Sequence, residues 1–491
     1  MATPQTPTPL PPCVLLRTQG SNIVTPTGQP IILKGAALGG MLNMENFITG
    51  YSGHEHEHRS QLSSVLGPEK ATFFFNRLLH HFFTEADASF FASLGLNCIR
   101  VPFNYRHFID DLEPDVIKEE GFTWLDRVIN ICGAQNIYVI LDLHAVPGGQ
   151  NQDWHCDSGS SRAAFWEFKD HQDRALKIWS VIAGRYQGNP VVAGYNPLNE
   201  PADSSLTEKG NHGARLLEWY KRAEKVIRGV DAEHILFLDG NTYSMDFGAF
   251  EEDPIPLPNA VYSIHDYSLF GFPGQERYTG TEEQKEKLKR SFERKVKFMR
   301  QVGVPVWNGE FGPVYQDPRR DGVESASREN GCRIALLEEQ LKLYRAEGVS
   351  WSIWLYKDIG YQGMTYVDPD SAYMKFIRPF LEKKQKLGLD FWTITGRDAV
   401  APVYEQFFAA IKGMVDERFH KVKYPKIWTF ERQFERVIRE MLLSEYVGWE
   451  LAEMFRGKTE EELEELAGSF ALGKCVPREE LNEVLRRDAA L

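Results

Sequence analysis

Two glutamates follow short apolar runs that lie far apart in the sequence. Glu200 stands near the end of VVAGYNPLNEP (191–201), and Glu310 stands near the end of VPVWNGEFG (304–312). Two carboxyl groups that face each other can break a glycosidic bond, because one donates a proton to the leaving oxygen while the other attacks the anomeric carbon. The surroundings of each carboxyl group must then set different protonation states. This pair is therefore the first candidate for an active site.

The runs before both glutamates have the length and composition of buried strands. Asn196-Pro197 is a turn signal, and Pro201 lacks an N–H and ends the strand, so that Glu200 is held at its tip. A carboxylate just past a buried strand lies where a parallel α/β barrel keeps its catalytic groups. The two glutamates are thus expected at the same mouth of one barrel.

Eight apolar runs alternate with helical patterns along most of the chain. Such alternation indicates parallel βα units, and eight of them predict an α/β fold with a closed (β/α)8 TIM barrel. The dinucleotide-binding alternative lacks its Gly-rich turn, because GAALGG (35–40) does not have the G-x-G-x-x-G spacing. The predicted strands are 31–38, 98–102, 138–143, 191–195, 235–238, 261–264, 304–307 and 349–355.

The remaining segments frame this barrel, which we assign to residues 14–384. Residues 1–13 are rich in Pro and Thr and are predicted to be disordered. A turn signal at 25–28 predicts an N-terminal hairpin that closes the bottom of the barrel. Past residue 384 amphipathic helical patterns replace the alternation, so we expect 385–491 to form a helical C-terminal extension packed on the barrel, either against its wall or over the cleft.

Composition and charge narrow the class of protein. Hydrophobic residues make up 42% and charged residues 25%, as in soluble globular chains. A net charge of −13 argues against a nucleic-acid partner, and no apolar stretch approaches the ~20 residues of a membrane span. No secretory signal is visible, so the sequence predicts a cytoplasmic protein, or a secreted one if a native signal has been removed. The six separated cysteines are expected to be free thiols, and the oligomeric state is left open.

A polar or aromatic side chain follows nearly every predicted strand. Arg and His are rare in buried strands unless they are paired, which suggests that these side chains converge on one site. Arg100 and Tyr267 are expected to hold Glu310 in its charged form, by a charge-assisted bond and a hydroxyl hydrogen bond. Asn199 could bind a sugar hydroxyl, and Trp354 offers a flat face to a pyranose ring. The set comprises Arg100, His144, Asn199, Glu200, His265, Tyr267, Glu310 and Trp354.

Six motifs, taken in order, resemble glycoside hydrolase family 5 over about residues 14–380. The resemblance implies a barrel-shaped retaining β-glycosidase that needs no metal or other cofactor. It assigns the acid/base role to Glu200 and the nucleophile role to Glu310. It gives supporting roles to Arg100, His144, Asn199, His265, Tyr267 and Trp354. The motifs are CIRVPFN, LDLHAVPGGQN, YNPLNEP, YSIHDY, VWNGEFG and WSIWLY.

Two loops look most like the exo-β-1,3-glucanase branch of that family, LGGMLNMENFIT (38–49) and DLHAVPGGQNQDW (142–154). Glu45 matches a glutamate that grips a terminal glucose there, and Asn151 and Trp154 are further candidates for substrate binding. The resemblance thus implies an exo-acting enzyme that releases terminal glucose from a β-glucoside or glycan. GEFG is closer to endoglucanases and endoglycoceramidases, so an endo-acting β-glucanase and a glucosylceramide or steryl-glucoside hydrolase stay open as alternatives.

Two other hypotheses belong to different classes of protein. Alternate histidines in HEHEH (54–58) could bind zinc on one side of an extended loop, which would suggest a metal-assisted hydrolase. We predict no metal site, because a charged segment flanked by glycine is usually a solvated loop. A non-catalytic sugar-binding barrel is the second hypothesis, and the presence of both glutamates with their supporting residues speaks against it.

Overall fold

The computed structural model describes residues 10–160, 162–252, 254, 256–389 and 394–491. Eight parallel strands form a closed barrel in chain order, and the last pairs with the first. Every predicted strand is present in the predicted order, which confirms the (β/α)8 barrel. The strands are β1 (Lys34–Ala37), β2 (Cys98–Asn104), β3 (Tyr138–Ala145), β4 (Val192–Asn196), β5 (Ile235–Asp239), β6 (Ala260–His265), β7 (Val306–Glu310) and β8 (Ser350–Ile353).

Helices connect the strands and surround the barrel. Four helices follow β1, the first of them the short Asn46–Thr49, and one long helix follows most later strands. After β5 the described residues contain only the short left-handed turn Asn241–Ser244 before β6. The surrounding helices are α1 (Glu55–Leu66), α2 (Pro68–Phe82), α3 (Glu85–Ser93), α4 (Glu120–Ala134), α5 (Lys169–Tyr186), α6 (Ala214–Arg228), α7 (Glu282–Lys295), α8 (Val323–Ala346) and α9 (Ala372–Lys386).

The face that α6 presents to the barrel follows from its apolar spacing. Leu216, Tyr220, Ala223 and Ile227 recur at intervals of three or four, and all four are buried. Residues at this spacing lie on one side of a helix. The same side therefore packs on the strands while the charged side faces solvent.

The N-terminal hairpin closes the lower end of the barrel, as the sequence predicts. Its strands, Arg17–Gln19 and Asn22–Val24, pair antiparallel. They lie before the predicted turn at 25–28, which forms as a separate turn. Hairpin and barrel side chains share one buried cluster, which includes Leu16, Ile23, Leu33, Phe237 and Trp307.

The predicted disorder of residues 1–13 falls partly outside the described residues, because 1–9 are not described. Residues 10–13 depart from this prediction. The carbonyl of Leu10 accepts a hydrogen bond of 3.1 Å from the Asn136 side chain. Cys13 packs against the buried cluster below the barrel. These four residues therefore lie against the bottom of the barrel.

The chain after α9, residues 387–491, is called the extension below, and it is helical as expected. Its strand β11 (Cys475–Pro477) pairs antiparallel with β10 (Thr365–Val367), which pairs with β9 (Lys357–Asp358). The extension thus completes a small sheet begun by the barrel chain. Its helices are α10 (Ile394–Met414), α11 (Phe430–Glu435), a π-helical segment (Arg436–Leu443), α12 (Ser444–Met454), α13 (Glu460–Gly468) and α14 (Glu479–Ala489).

A buried lysine joins the extension to the barrel. The Lys357 ammonium donates hydrogen bonds to Asp87 at 2.7 Å and to the carbonyls of Phe82 and Phe470, each at 2.8 Å. Lys357 and Asp87 are fully buried. Because a buried charge is costly unless it is paired, all of these partners are required at once. Phe470 of the extension is therefore held against α2 and α3.

The segment 54–58 begins helix α1, so the predicted exposed loop is wrong. His54 caps the helix, and His58 is buried with its ring stacked on Tyr51 at 4.6 Å between centroids. His54 precedes the first turn, and its ring lies 5.9 Å from that of His56, whereas His58 turns into the core. The three imidazoles therefore do not share the one side that an extended segment would give them.

Two further observations concern the chain as a whole. All six cysteines lie in the described part of the chain and are free, as expected. None of the helices in the described ranges combines the length and the apolar character that crossing a membrane requires.

Candidate active site

The carboxyl ends of the barrel strands open into a cavity of about 520 Å³. This volume lies in the range of about 300–1,000 Å³ that is typical of small-ligand sites. Glu200 and Glu310 both line the cavity, although they come from different strands. The other predicted residues in its lining are Glu45, His144, Trp154, Tyr267 and Trp354.

The two carboxyl groups approach each other across the cavity. One side-chain atom each from Glu200, His265 and Glu310 lies within 4.8 Å of the other two. His265 Nδ1 lies 2.6 Å from Oε1 of Glu200 and 3.7 Å from Oε2 of Glu310. Retaining glycosidases separate their carboxyls by about 5–5.5 Å, and inverting ones by about 6.5–9.5 Å. The observed spacing corresponds to the retaining arrangement.

The same three residues are the one group among the described residues that could hold a metal ion. The guanidinium of Arg100 already bonds to the Glu310 carboxylate at 2.5 Å. A divalent cation at this position would face that positive charge at close range, which disfavours its binding. The arrangement therefore fits two-carboxylate chemistry better than metal ligation.

Glu310 receives hydrogen bonds on both carboxylate oxygens. Arg100 Nη1 donates to Oε1 at 2.5 Å, and the Tyr267 hydroxyl donates to Oε2 at 3.0 Å. The pKa of Glu310 is raised to about 7, because the effect of its burial outweighs the charge and the hydrogen bond of Arg100, which both lower it. Donors aimed at a carboxylate favour its ionised form. These contacts oppose the effect of burial.

Arg100 is fixed in turn by a buried set of acceptors. It is fully buried on β2 and forms an ion pair with Asp142 of β3 at 3.1 Å. Its Nη2 also donates to Asn196 at 3.0 Å and to Asn199 at 2.6 Å. A guanidinium with several fixed acceptors has one available orientation. Three strands therefore direct one positive charge at Glu310.

Glu200 is held in an unusual backbone conformation. Its φ is +46°, a region that non-glycine residues seldom adopt. Its N–H donates to Asp239 at 3.0 Å, and its carbonyl accepts from Asn151 at 2.8 Å. Burial raises the pKa of Glu200 well above its usual range, and the charges of Asp153 and Asp239 add to this while Arg100 opposes it. Its surroundings therefore favour the protonated form.

The two predicted histidines are buried and lie among these acids. Burial lowers the pKa of both His144 and His265, so both are neutral at pH 7. His144 Nδ1 lies 2.7 Å from Asp142, and its ring stacks on Trp354 with centroids 5.4 Å apart. Neutral imidazole can donate at one nitrogen and accept at the other. His265 therefore presents one nitrogen, Nδ1, to both carboxyls without adding charge.

Glu45 and Trp154 line a part of the cavity beside the pair of glutamates. The Trp154 indole N–H donates to its Oε2 at 3.1 Å, and His144 Nε2 lies 3.8 Å from its Oε1. Burial raises the pKa of Glu45 well above its usual range, and the charge of Glu310 contributes. The loops after β1 and β3 thus bring a carboxyl and an indole together beside the pair.

Four predicted residues lie behind the lining of the cavity. Arg100, Asn151 and Asn199 are fully buried and His265 nearly so. Asn199 bonds to Arg100 and places its side-chain nitrogen 3.3 Å from His144 Nε2. In this structure these side chains position the lining residues, whereas the sequence suggested that Asn199 and Asn151 meet the substrate directly.

Sequence reasoning missed several residues of this site. Asp239 ends β5, and a polar residue at the end of ILFLD was a usable signal. Asp142 alternates with His144 along β3 and could have been found in the same way. The cavity is also lined by Tyr243 and by five residues of the extension, for which no local signal exists: Ile427, Trp428, Thr429, Arg432 and Arg436.

The extension covers part of the cleft, which was one of the two placements left open. The guanidinium of Arg436 lies over the Trp428 ring at 3.5 Å from its centroid. It also forms an ion pair with Asp153, in the loop that follows β3. Trp428 in turn lies 5.3 Å from the Tyr243 ring. These contacts hold the extension at the mouth of the barrel.

Residues 67–360 match the family model described as cellulase (glycosyl hydrolase family 5). The chain is 49% identical over 482 residues to a protein of Phanerodontia chrysosporium named Beta-xylosidase, covering 97% of this chain and 98% of that protein. It is 32% identical over 257 residues to Glucan 1,3-beta-glucosidase 1 of Schizosaccharomyces pombe, covering 48% of this chain and 59% of that protein.

A solved structure described as an endogalactoceramidase has a similar fold. It aligns with a TM-score of 0.50 and 16% identity, over 70% of this chain and 75% of that one. At this identity the likeness concerns the fold alone. The family model and the near full-length relative together establish that the chain belongs to glycosyl hydrolase family 5 and is a glycoside hydrolase.

Proposed function

We propose that this enzyme is a retaining, exo-acting β-glycosidase, with Glu310 as nucleophile and Glu200 as acid/base. The observation that carries the proposal is that two carboxyl groups with different surroundings lie within 4.8 Å of each other. Ionised Glu310 attacks the anomeric carbon as the glycosidic C–O bond breaks, and Glu200 gives its proton to the leaving oxygen. Glu200 then takes a proton from water, whose oxygen displaces Glu310 and releases the sugar.

Arg100 and Tyr267 support the first step of this mechanism. Both donate to Glu310, and so they stabilise the charge that it carries before attack. The acids around Glu200, chiefly Asp153 and Asp239, favour its protonated form in the same state. The site thus separates two chemically identical groups by their neighbours.

The exo action is supported by the shape of the cavity. Glu45 and Trp154 bond to each other in its lining, and residues 427–436 of the extension contribute to its wall. A carboxyl beside an indole suits the hydroxyls and the apolar face of one terminal sugar, and Trp354 offers a second flat face. A cavity with walls from both the barrel loops and the extension accepts a chain end more readily than the middle of a polymer.

For the released sugar we propose xylose first and glucose second. The relative named Beta-xylosidase is matched over 97% of this chain, so the match includes the whole barrel, whose residues bind the released sugar. The relative named Glucan 1,3-beta-glucosidase 1 is matched over only 48%. Glucose is supported by the sequence motif around Glu45. The two pyranoses differ by one hydroxymethyl group, which a pocket can discriminate by roughly 1–3 kcal/mol.

A panel of substrates tests this proposal. The kcat/KM for an aryl β-xyloside should be higher than that for the matching β-glucoside. A β-linked oligosaccharide should yield single sugars as the first products of the reaction. NMR of the fresh product should show the β-anomer first. Longer first products would contradict exo action, and a fresh α-anomer would contradict retention. The Glu310→Gln variant is the matched negative control.

A further inference from the structure

The leaving group of a glycosidase must lie beside its general acid, because the acid has to reach the leaving oxygen. In this enzyme the groups around Glu200 include Asp153, whose charge raises the pKa of Glu200. They also include Tyr243, whose N–H donates to the carbonyl of Pro201 at 3.2 Å. Arg436 of the extension pairs with that same Asp153. The extension therefore meets the cavity on the side of Glu200.

Trp428 is the aromatic residue of the extension at this position. It lines the cavity and is partly buried. The guanidinium of Arg436 lies over its ring at 3.5 Å, a cation–π contact that restrains the ring. Arg436 is itself buried and held by Asp153 and by the carbonyl of Gln152. The indole is thus an oriented surface rather than a free side chain.

Tyr243 lies beside this indole on a strained turn. Thr242, Tyr243 and Ser244 have φ values of +53°, +57° and +60°, in the left-handed region that non-glycine residues avoid. The Thr242 hydroxyl is hydrogen-bonded to that of Tyr424, in the extension. Conformations of this kind persist only where the surrounding structure holds them, and they cluster at ligand sites. The turn places the Tyr243 ring 5.3 Å from that of Trp428.

We propose that Trp428, together with Tyr243 and Ile427, binds the leaving group, and that this group carries a flat ring. A second pyranose and an aromatic aglycone share the chemistry that an indole recognises, since either presents a flat face to it. Ile427 is 54% exposed and lines the cavity, so it extends the apolar edge of the surface. The inference rests on the proposed function, because it takes Glu200 as the acid.

The extension is then a specificity element added to a family barrel. Ile427 and Trp428 lie outside the stretch 67–360 that the family model matches. The sugar that is cleaved off is bound by barrel residues, whereas the group that leaves is bound chiefly by added chain, with Tyr243 as the one barrel residue of that surface. A change in the extension should therefore alter which leaving groups are accepted.

The test compares leaving groups with and without a ring. For Trp428→Ala and wild type, kcat/KM is measured on a β-linked disaccharide, on a 4-nitrophenyl β-glycoside and on the β-glycosyl fluoride of the same sugar. Fluoride offers nothing to stack on the indole. The ratio of ring-bearing to fluoride kcat/KM should fall about tenfold in Trp428→Ala. Trp428→Phe should give an intermediate ratio, because it keeps an aromatic face.

Trp449→Ala is the matched control, since Trp449 is a 43% exposed tryptophan of the same extension and is absent from the cavity lining. Its ratio should equal that of wild type. A larger loss on the disaccharide assigns the surface to a sugar, and a larger loss on the nitrophenyl glycoside assigns it to an aromatic aglycone. Equal losses on ring-bearing substrates and fluoride would overturn this inference alone. Wild type inactive on all three substrates would overturn the proposed function with it.

Discussion

Glu310 and Glu200 are the same residue type near the ends of two strands, yet their surroundings differ. Glu310 faces two donors, Arg100 and Tyr267, on its two oxygens. Glu200 is surrounded instead by the charges of other acids, which add to the effect of its burial. The positions of the two strands thus bring the carboxyl groups together. Neighbouring side chains from other strands and loops then determine which of the two glutamates is protonated.

The two surroundings are also built from different parts of the chain. Arg100 lies in β2 and Tyr267 directly after β6, so the barrel itself supplies the donors to Glu310. The loop that contains Asp153 and the extension lie on the far side of Glu200. An ion pair between Arg436 and Asp153 joins the extension to this loop. A barrel supports many specificities by changing its loops while the strand ends keep the chemistry. The half around Glu310 should therefore govern reactivity, and the half beyond Glu200 should govern selectivity.

The largest effect is expected from Glu310→Gln. The amide cannot attack the anomeric carbon, so kcat should fall by about 10⁴-fold or more on every β-glycoside, whatever its leaving group. In Glu310→Ala, which empties the space of the carboxylate, adding azide should restore part of the rate and yield the α-glycosyl azide, because the small nucleophile can occupy that space. Residual activity near the wild-type level would remove Glu310 from the nucleophile role.

Glu200→Gln should produce a loss that depends on the leaving group. Poor leaving groups need a proton from the acid, so kcat/KM for a disaccharide should fall by about 10²–10⁴-fold. A dinitrophenyl glycoside, which leaves without protonation, should lose far less in kcat/KM. A Brønsted plot of kcat/KM against leaving-group pKa should therefore become steeper than in wild type. Parallel plots for variant and wild type would show that Glu200 is not the acid.

Arg100→Met tests the positive charge between the two glutamates. Arg100 acts to lower the pKa of both Glu310 and Glu200, so its removal should raise both. In the variant, both Glu310 and Glu200 would then lose their protons at a higher pH than in wild type. Both limbs of the kcat/KM profile should move to higher pH, while kcat/KM falls by about 10–100-fold for the lost charged hydrogen bonds. Either limb moving to lower pH would contradict this electrostatic account.

The same variant has a stability consequence. Without the guanidinium, Asp142 would be left as a buried acid that has lost its ion pair. Breaking a buried pair in this way costs about 3–5 kcal/mol. Arg100→Lys is the second variant, because it keeps the charge but not the fork of donors. Its melting temperature should lie between those of wild type and Arg100→Met, and the pH limbs should move less.

The half around Glu310 was largely predictable from the sequence, for a physical reason. In a parallel barrel the carboxyl ends of all strands lie at the same face. A polar residue at the carboxyl end of an apolar run is therefore expected at that face. Tyr267 and Glu310 follow this rule, whereas Arg100 lies inside β2, and the structure brings all three together. The distances between them could not be predicted, because they depend on the register in which the barrel closes.

The half beyond Glu200 was not predictable. The amphipathic patterns of the extension indicate helices, but they do not specify the surface on which those helices dock. Trp428 therefore has no local feature that marks it as part of a cavity. Tyr243 lies in a left-handed turn without glycine, which runs against the local preference of its own segment. Contacts between distant segments decide both positions.

The segment 54–58 shows a related difficulty. Gly53 and the alternating charges suggested a loop, but the structure forms helix α1 from Glu55 onward. Glu55 is buried and bonds to the backbone of Met44 and to Arg59. The helix dipole favours acidic residues in the first turn, so the same acidic residues are also compatible with the start of a helix. Partners in the tertiary structure decided between the two.

Tyr267→Phe should give the smallest of these effects and the sharpest test of the comparison. The change removes one hydroxyl, whose hydrogen bond of 3.0 Å to Glu310 favours the ionised carboxylate. The pKa of Glu310 should rise, so the acidic limb of kcat/KM should move to higher pH by less than in Arg100→Met. This single hydrogen bond to a charged group contributes about 1.5 kcal/mol, so kcat/KM should fall by about tenfold, at the lower end of the range expected for Arg100→Met. The alkaline limb reports the ionisation of Glu200. It should stay nearly fixed, because the Tyr267 hydroxyl donates its hydrogen bond to Glu310 and not to Glu200. A profile in which the alkaline limb moves and the acidic limb does not would reverse the assignment of the two glutamates.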